Sequence, residues 1–396
     1  MITFSNACNI IKKTVIESKD FELVDTEQCI KRILSKTYSS KLDLPRENLS
    51  SMDGVVIFKS EMKKKLKITG ESKAGDIKGE NFEPGQCHLI YTGAPIYGGN
   101  KKVIPKENFI KKGGYIYISS FPKQSFIRKK SSDLKKNKIY LKKKEVISLR
   151  SLALAKSMKI NTLSVKKKPR VFIICTGDEI ICNNKEDSLV TPTNHIFIQN
   201  LVKTLGGEVI KILFSSDEES DFIDKFNSEK NFDLLITSGG ISRGKYDIVK
   251  NTLKKNGLSI NFDRVAIKPG KPTTFGVFRK KKYFLGLPGN PISCFMSMIN
   301  FFPIFVNSFY GLKFSEFLFR ELKSKRSIDK NDNLTRFERV YIKGNFFKVF
   351  SNQDSSMLHL LNEANGILVR KPHSNEISRD QKEMIMLLNK LNTYEI

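Results

Sequence analysis

Histidine is scarce in this chain, four in 396 residues and none beside another. The six cysteines (Cys8, Cys29, Cys87, Cys175, Cys182 and Cys294) fall outside any paired spacing, so no zinc site is expected. The same scatter argues against a disulfide framework and fits reduced thiols in the cytoplasm. No charge-free apolar run of about 18 residues is expected, and hence no membrane-spanning helix. Met1 to Lys13 lacks a basic segment leading into an apolar core, so no secretion signal is expected either. Acids are also short, at 41 Asp and Glu against 69 Lys and Arg, which leaves a net charge of +28.

An excess of that size raises nucleic acid as a partner. Its distribution speaks against one. Between Lys101 and Arg170, 19 Lys and 3 Arg meet only Glu107, Asp133 and Glu145, in runs such as Lys142 to Lys144 and Lys166 to Lys168. A solvated lysine-rich surface accounts for such runs, whereas a nucleic-acid face would mix in Arg and exposed aromatics. A small polyanionic substrate would be attracted in either case.

The texture changes along the chain. Residues 1–45 carry helical periodicity at Ile10, Ile11 and Val15, then at Cys29, Ile30, Ile33 and Leu34; residues 140–166 show it at Ile147, Leu149, Leu152 and Leu154. These two stretches are expected to form a helical linker. Residues 46–139 hold short strand-like runs punctuated by Gly and Pro, which predicts a small β-rich domain. Residues 167–315 alternate apolar strands with helical stretches, which predicts a doubly wound α/β domain. Residues 320–396 return to short strands and read as a β-barrel-like domain. The expected fold class is thus a multi-domain α/β plus β protein, its central doubly wound α/β domain flanked by two small β-rich domains and a helical linker domain.

Ligands of doubly wound sheets sit beyond the carboxyl ends of the strands. Polar, glycine-bearing turns follow three strands here: Thr176-Gly177-Asp178-Glu179, Thr237-Ser238-Gly239-Gly240 with Ser242 to Asp247, and Pro288-Gly289-Asn290-Pro291. Successive N–H groups in such turns make anion-binding nests. Pro291 would open a helix running to Val306, with Asn290 as its cap. Lys268-Pro-Gly270-Lys271-Pro would hold two lysines on a rigid, extended loop able to meet one anion. Asp178, Glu179 and Asp247 could hold Mg²⁺ against a phosphate, although an acidic pair after a strand equally serves as a helix cap. Neither a P-loop nor a G-x-G-x-x-G follows a strand.

These blocks resemble the molybdopterin molybdenumtransferase family, homologous to the C-terminal half of gephyrin. Ser51-Met-Asp53-Gly54 and Thr92-Gly-Ala-Pro95 resemble its first two motifs, and the α/β turns, Tyr246-Asp247, Lys268 to Lys271 and Gly286 to Pro291 continue the series in family order. The resemblance implies a cytoplasmic homodimer whose central domain is of the molybdopterin-binding type, with residues 1–45 and 140–166 serving dimerisation. It implies a transferase that takes molybdate and adenylylated molybdopterin, releases AMP and leaves molybdenum on the pterin dithiolene, assisted by Mg²⁺. Catalysis would fall to Asp178, Glu179, Asp247, Lys268 and Lys271, with Asp53 and Thr92 reaching the cleft from the partner chain. Thr176, Gly177, Ser238, Gly239, Gly240, Ser242, Gly270, Pro288, Gly289, Asn290 and Pro291 would contact the substrate. Arg336 and Arg339, with Ser355 and Ser356, resemble the family's anion contacts. A pterin adenylyltransferase and apo-molybdoenzymes are the protein partners implied. Pro192-Thr-Asn194 stands where the family usually has D-S-N, and Tyr97 to Lys101 where it has P-x-G-A-D. A pterin adenylyltransferase or a non-catalytic pterin-binding homologue are the alternative readings.

Overall fold

The computed structural model describes residues 1–77, 81–178, 192–240, 248–313 and 318–388. The chain divides into two compact units: Met1–Ser35 with Lys144–Leu152 and Thr162–Ile396, and Lys36–Lys143 with Ala153–Asn161.

The first unit contains a six-stranded sheet. Its strands lie in the order Glu208–Ser215, Arg170–Thr176, Leu234–Ser238, Lys282–Leu287, Thr274–Phe278, Ser259–Asp263. The first four pair in parallel, and Thr274–Phe278 alone runs against the rest. Side chains alternate across a strand. Val171, Ile173 and Cys175 therefore pack with the helices Asn194–Thr204 and Pro291–Tyr310, while Phe172 and Ile174 pack with Glu219–Asn227 and Ile248–Lys255. Burial on both faces is why this strand reads as an unbroken apolar run. The chain leaves Arg170–Thr176 toward one edge and returns to Leu234–Ser238 on its other side. A crevice opens between such strand ends.

Ile267–Lys268 joins a second sheet with Thr335–Lys343, Phe346–Val349, Phe319–Ser324, Lys382–Leu387 and Gly366–Arg370. Gly366–Arg370 pairs back onto Thr335–Lys343 and closes five of these strands into a ring.

Helical periodicity holds at Phe4–Thr14, capped by the Thr3 hydroxyl accepting from Asn6 N–H. It fails at Cys29 to Leu34. Lys31 has φ +62° and Ile33 and Leu34 form bridges to Val146 and Val165, so pairing with neighbouring strands overrides the local pattern. Residues 140–166 likewise hold one helix, Leu149–Ser157, and a strand, Thr162–Lys166, that pairs with Phe21–Asp25.

The expectation of no long charge-free run is corrected by Pro291–Tyr310, a 20-residue helix apolar and long enough to span a membrane. It is a core helix here: 89% of its most apolar 18 residues are buried inside the protein. It extends past Val306 and ends at Gly311, whose φ of +67° is a left-handed cap.

The second unit is built on a six-stranded sheet ordered Lys101–Pro105, Gly54–Phe58, Gln86–Ile90, Lys65–Ser72, Tyr115–Ile118, Phe109–Lys112. Val55 and Ile57 enter one small core and Val56 another, so Gly54–Phe58 is covered on both faces.

Candidate active site

Five loops leave the α/β sheet at one end: those after Glu208–Ser215, Arg170–Thr176, Leu234–Ser238, Ser259–Asp263 and Lys282–Leu287. The Gly177 N–H donates to Ser215 O at 3.0 Å. Beyond it Asp178 is exposed, and its Oδ1 accepts the Asp217 N–H at 2.9 Å. Asp217 is not among the residues singled out from the sequence. An acid two residues past an apolar strand is nevertheless the same signal that marks Asp178.

Glycine is required where the next loop crosses. Gly239 has φ +93°, and a Cβ there would lie 2.4 Å from Thr176 O; Gly240 has φ +61° and would meet Val249 Cγ2 at 2.6 Å. Gly289 is less confined: a Cβ there would meet Gly239 Cα at 3.8 Å, an ordinary contact. Asn194, which sequence reading left out of the site, binds these loops together. Its Nδ2 donates to Ser238 Oγ at 2.7 Å and to Gly289 O at 2.5 Å. Pro288 is buried behind them, its carbonyl accepting from Ser238 Oγ at 3.4 Å.

Pro291 occupies the first turn of its helix as expected, but Asn290 does not cap it. The Asn290 Nδ2 instead donates to Ser355 Oγ at 2.9 Å, and Ile292 N–H donates to Ser355 O at 3.3 Å. Asn290 thus holds the capping position while its side chain serves the Ser355 loop.

The Lys268 to Pro272 segment turns rather than running extended. Its Lys268–Pro269 peptide is cis, Gly270 has φ +108°, and Thr273 N–H returns to Gly270 O at 3.0 Å. Thr273 Oγ1 bonds Ser297 Oγ on the long helix at 2.7 Å, an anchor invisible in the motif itself. Lys268 is exposed and pairs in register with Arg336; Lys271 is half-buried. Arg336 donates to Asp332 at 2.7 Å. That bond, aided by the charges of Arg336 and Lys268, brings the Asp332 carboxyl down to about 2. Lysine and arginine still outnumber the carboxylate in this corner.

Arg339 is not an anion contact. It is 1% exposed and donates to Gln353 Oε1 and to the carbonyls of Asn352, Asp354 and Met357, holding the loop that carries Ser355. Ser356 donates to Asp354 Oδ1 at 2.7 Å within the same loop. Burial pushes the thiols of Cys175 (to about 12) and Cys294 well above the ordinary range, so neither is a thiolate nucleophile.

Glu179, Ser242 and Asp247 lie outside the described residues. Among the described residues no three His, Cys, Asp or Glu side chains come together as a metal site.

In the second unit the structure joins two motifs far apart in sequence. Asp53 Oδ1 accepts both the backbone N–H and the hydroxyl of Thr92, each at 2.8 Å, and these bonds hold its carboxyl below the usual range. Gly54 is obligatory beside it, since a Cβ would sit 2.0 Å from Ile104 O.

Comparison with known proteins agrees with this geometry. Residues 172–306 match a family described as a probable molybdopterin binding domain, and residues 2–158 one described as the MoeA N-terminal region, domains I and II. The molybdopterin molybdenumtransferase of Haemophilus influenzae is 31% identical over 304 residues, covering 75% of each chain. That of Nostoc sp. is 28% identical over 317 residues, covering 77% of this chain and 72% of its own. The molybdopterin biosynthesis moeA protein from Pyrococcus horikoshii OT3 shares the fold, with a TM-score of 0.82 at 24% identity over 98% of this chain and 100% of that one. On these matches the chain belongs to the molybdopterin molybdenumtransferase family.

Proposed function

We propose that this protein inserts molybdenum from molybdate into adenylylated molybdopterin and releases AMP. The observation that carries the reading is the single crevice rim on which the Thr176–Asp178, Ser238–Gly240, Lys268–Lys271 and Pro288–Pro291 turns assemble. Breaking a phosphoanhydride calls for neutralising charge more than for a strong nucleophile. The close glycine turns let backbone N–H groups approach phosphate oxygens, and Lys268, Lys271 and Arg336 balance the charge of molybdate. Molybdate oxygens are displaced by the substrate's own dithiolene sulfurs, so the buried protein thiols have no part.

The donor chemistry present fits a hard divalent cation: Asp178 offers an exposed carboxylate at the strand end. In this reading Asp178, Glu179 and Asp247 hold Mg²⁺. The cation, when bound, offsets the charge on the phosphate oxygens. The enzyme works in the cytoplasm as a homodimer, with Asp53 and Thr92 of the partner subunit completing each cleft.

Asp178→Asn tests the assignment. Asparagine retains an oxygen for the Asp217 N–H, so the fold should persist while Mg²⁺-dependent AMP release falls at least about tenfold, as for loss of one electrostatic group. Unchanged turnover would remove Asp178 from the mechanism.

A further inference from the structure

Asn194 is the first residue of the helix Asn194–Thr204 and stands at the switch-point crevice. Its amide orientation is fixed by chemistry. The Gly289 carbonyl can only accept, so the atom 2.5 Å from it is Nδ2, and the same nitrogen reaches Ser238 Oγ at 2.7 Å. Both loop contacts thus fall to Nδ2 and none to Oδ1. That oxygen is buried and, among the described residues, has no hydrogen-bond partner.

Its neighbours share the condition. Thr193 Oγ1 and His195 Nδ1 are also buried without partners among the described residues. Thr193 holds the helix-capping position yet makes no side-chain cap bond. The His195 ring is set edge-on to Phe214, with centroids 5.2 Å apart. Buried polar atoms are paired in the great majority of cases. Of the three, Asn194 is the one bonded to the Ser238 and Gly289 turns, so its unpaired oxygen is an acceptor held beside the site.

We propose that Asn194 Oδ1 is the acceptor for an N–H donor on the heterocyclic edge of the substrate, making Asn194 a substrate-binding residue as well as a tie between loops. The inference rests on the insertase reading above. The required chemistry is a planar ring presenting an amino or ring N–H group. Both the pterin and the adenine of adenylylated molybdopterin carry one.

The two sources separate by binding each half alone. Dissociation constants of molybdopterin, AMP and molybdate are measured for the parent protein and for Asn194→Ala. The expected result is a loss of about tenfold for one organic half, the effect of one lost hydrogen bond of about 1.4 kcal/mol, with molybdate affinity unchanged. Loss confined to molybdopterin assigns the pterin edge, and loss confined to AMP assigns the adenine.

Equal affinities in parent and variant overturn the proposal. So does a uniform loss for all three ligands, which is what a purely structural tie predicts. Should the alanine variant not fold, Asn194→Ser, whose hydroxyl can still donate in the crevice, is expected to show the same selective loss. A parent protein that binds neither organic half would instead overturn the functional reading itself.

Discussion

Gly239 and Gly289 lie near each other in the site, yet they serve different ends. A methyl group at Gly239 collides with the Thr176 carbonyl at 2.4 Å, on a backbone at φ +93°. Gly239→Ala should destabilise the protein by about 2–3 kcal/mol, measured by denaturant unfolding. Among the described residues only the Gly239 Cα would lie within 4 Å of a Cβ at Gly289, so Gly289→Ala should leave stability within about 0.5 kcal/mol while weakening substrate binding. An equal stability loss at both positions would contradict this division. Asp178 and the two glycines could be read from strand-end turns alone. Asn194 could not, because its partners, Ser238 and Gly289, are 44 and 95 residues away.

At the scale of elements, the segment around Glu17 ties the amino-terminal helix to the long helix and to a strand. Glu17 accepts from Lys144 at 2.8 Å and from Lys166 at 2.6 Å, while Lys144 also donates to Gly311 O and Lys166 to Ser18 O. Lys166 is 4% exposed. The two hydrogen-bonded ammonium groups, Lys144 first, hold the Glu17 carboxyl below its ordinary value. A depressed carboxyl pKa gives stability that is complete above the unfolded value of about 4.3 and is lost as pH falls through the folded one. The melting temperature should therefore decline below about pH 5, and Glu17→Gln should flatten that limb. At neutral pH the variant should lose about 1–2 kcal/mol, because Lys166 stays buried without its counter-charge while half the pair is solvent-screened. An unaltered pH profile in Glu17→Gln would count against this tie. The same region shows where element reading fails. Ile33 and Leu34 have helical spacing, but they serve isolated bridges to residues more than a hundred positions away, which no local pattern encodes. The α/β strands were legible because burial on both faces makes their apolar runs continuous.

At the scale of the whole molecule, turns scattered between Thr176 and Pro291 line one end of a single sheet, which is what strand-end motifs in βαβ order imply. Less legible was the carboxyl-terminal contribution. Ser355 reaches the site through Asn290, on a loop held by buried Arg339, and Arg336 through strand pairing with Lys268. Such relations depend on closure of the second sheet. The central claim is that this assembled rim converts adenylylated molybdopterin rather than merely holding it. Its most direct test is AMP release by the purified protein, with and without molybdate and Mg²⁺. The account predicts release that requires both. Tight binding of the adenylate with no AMP release under any of these conditions would contradict it.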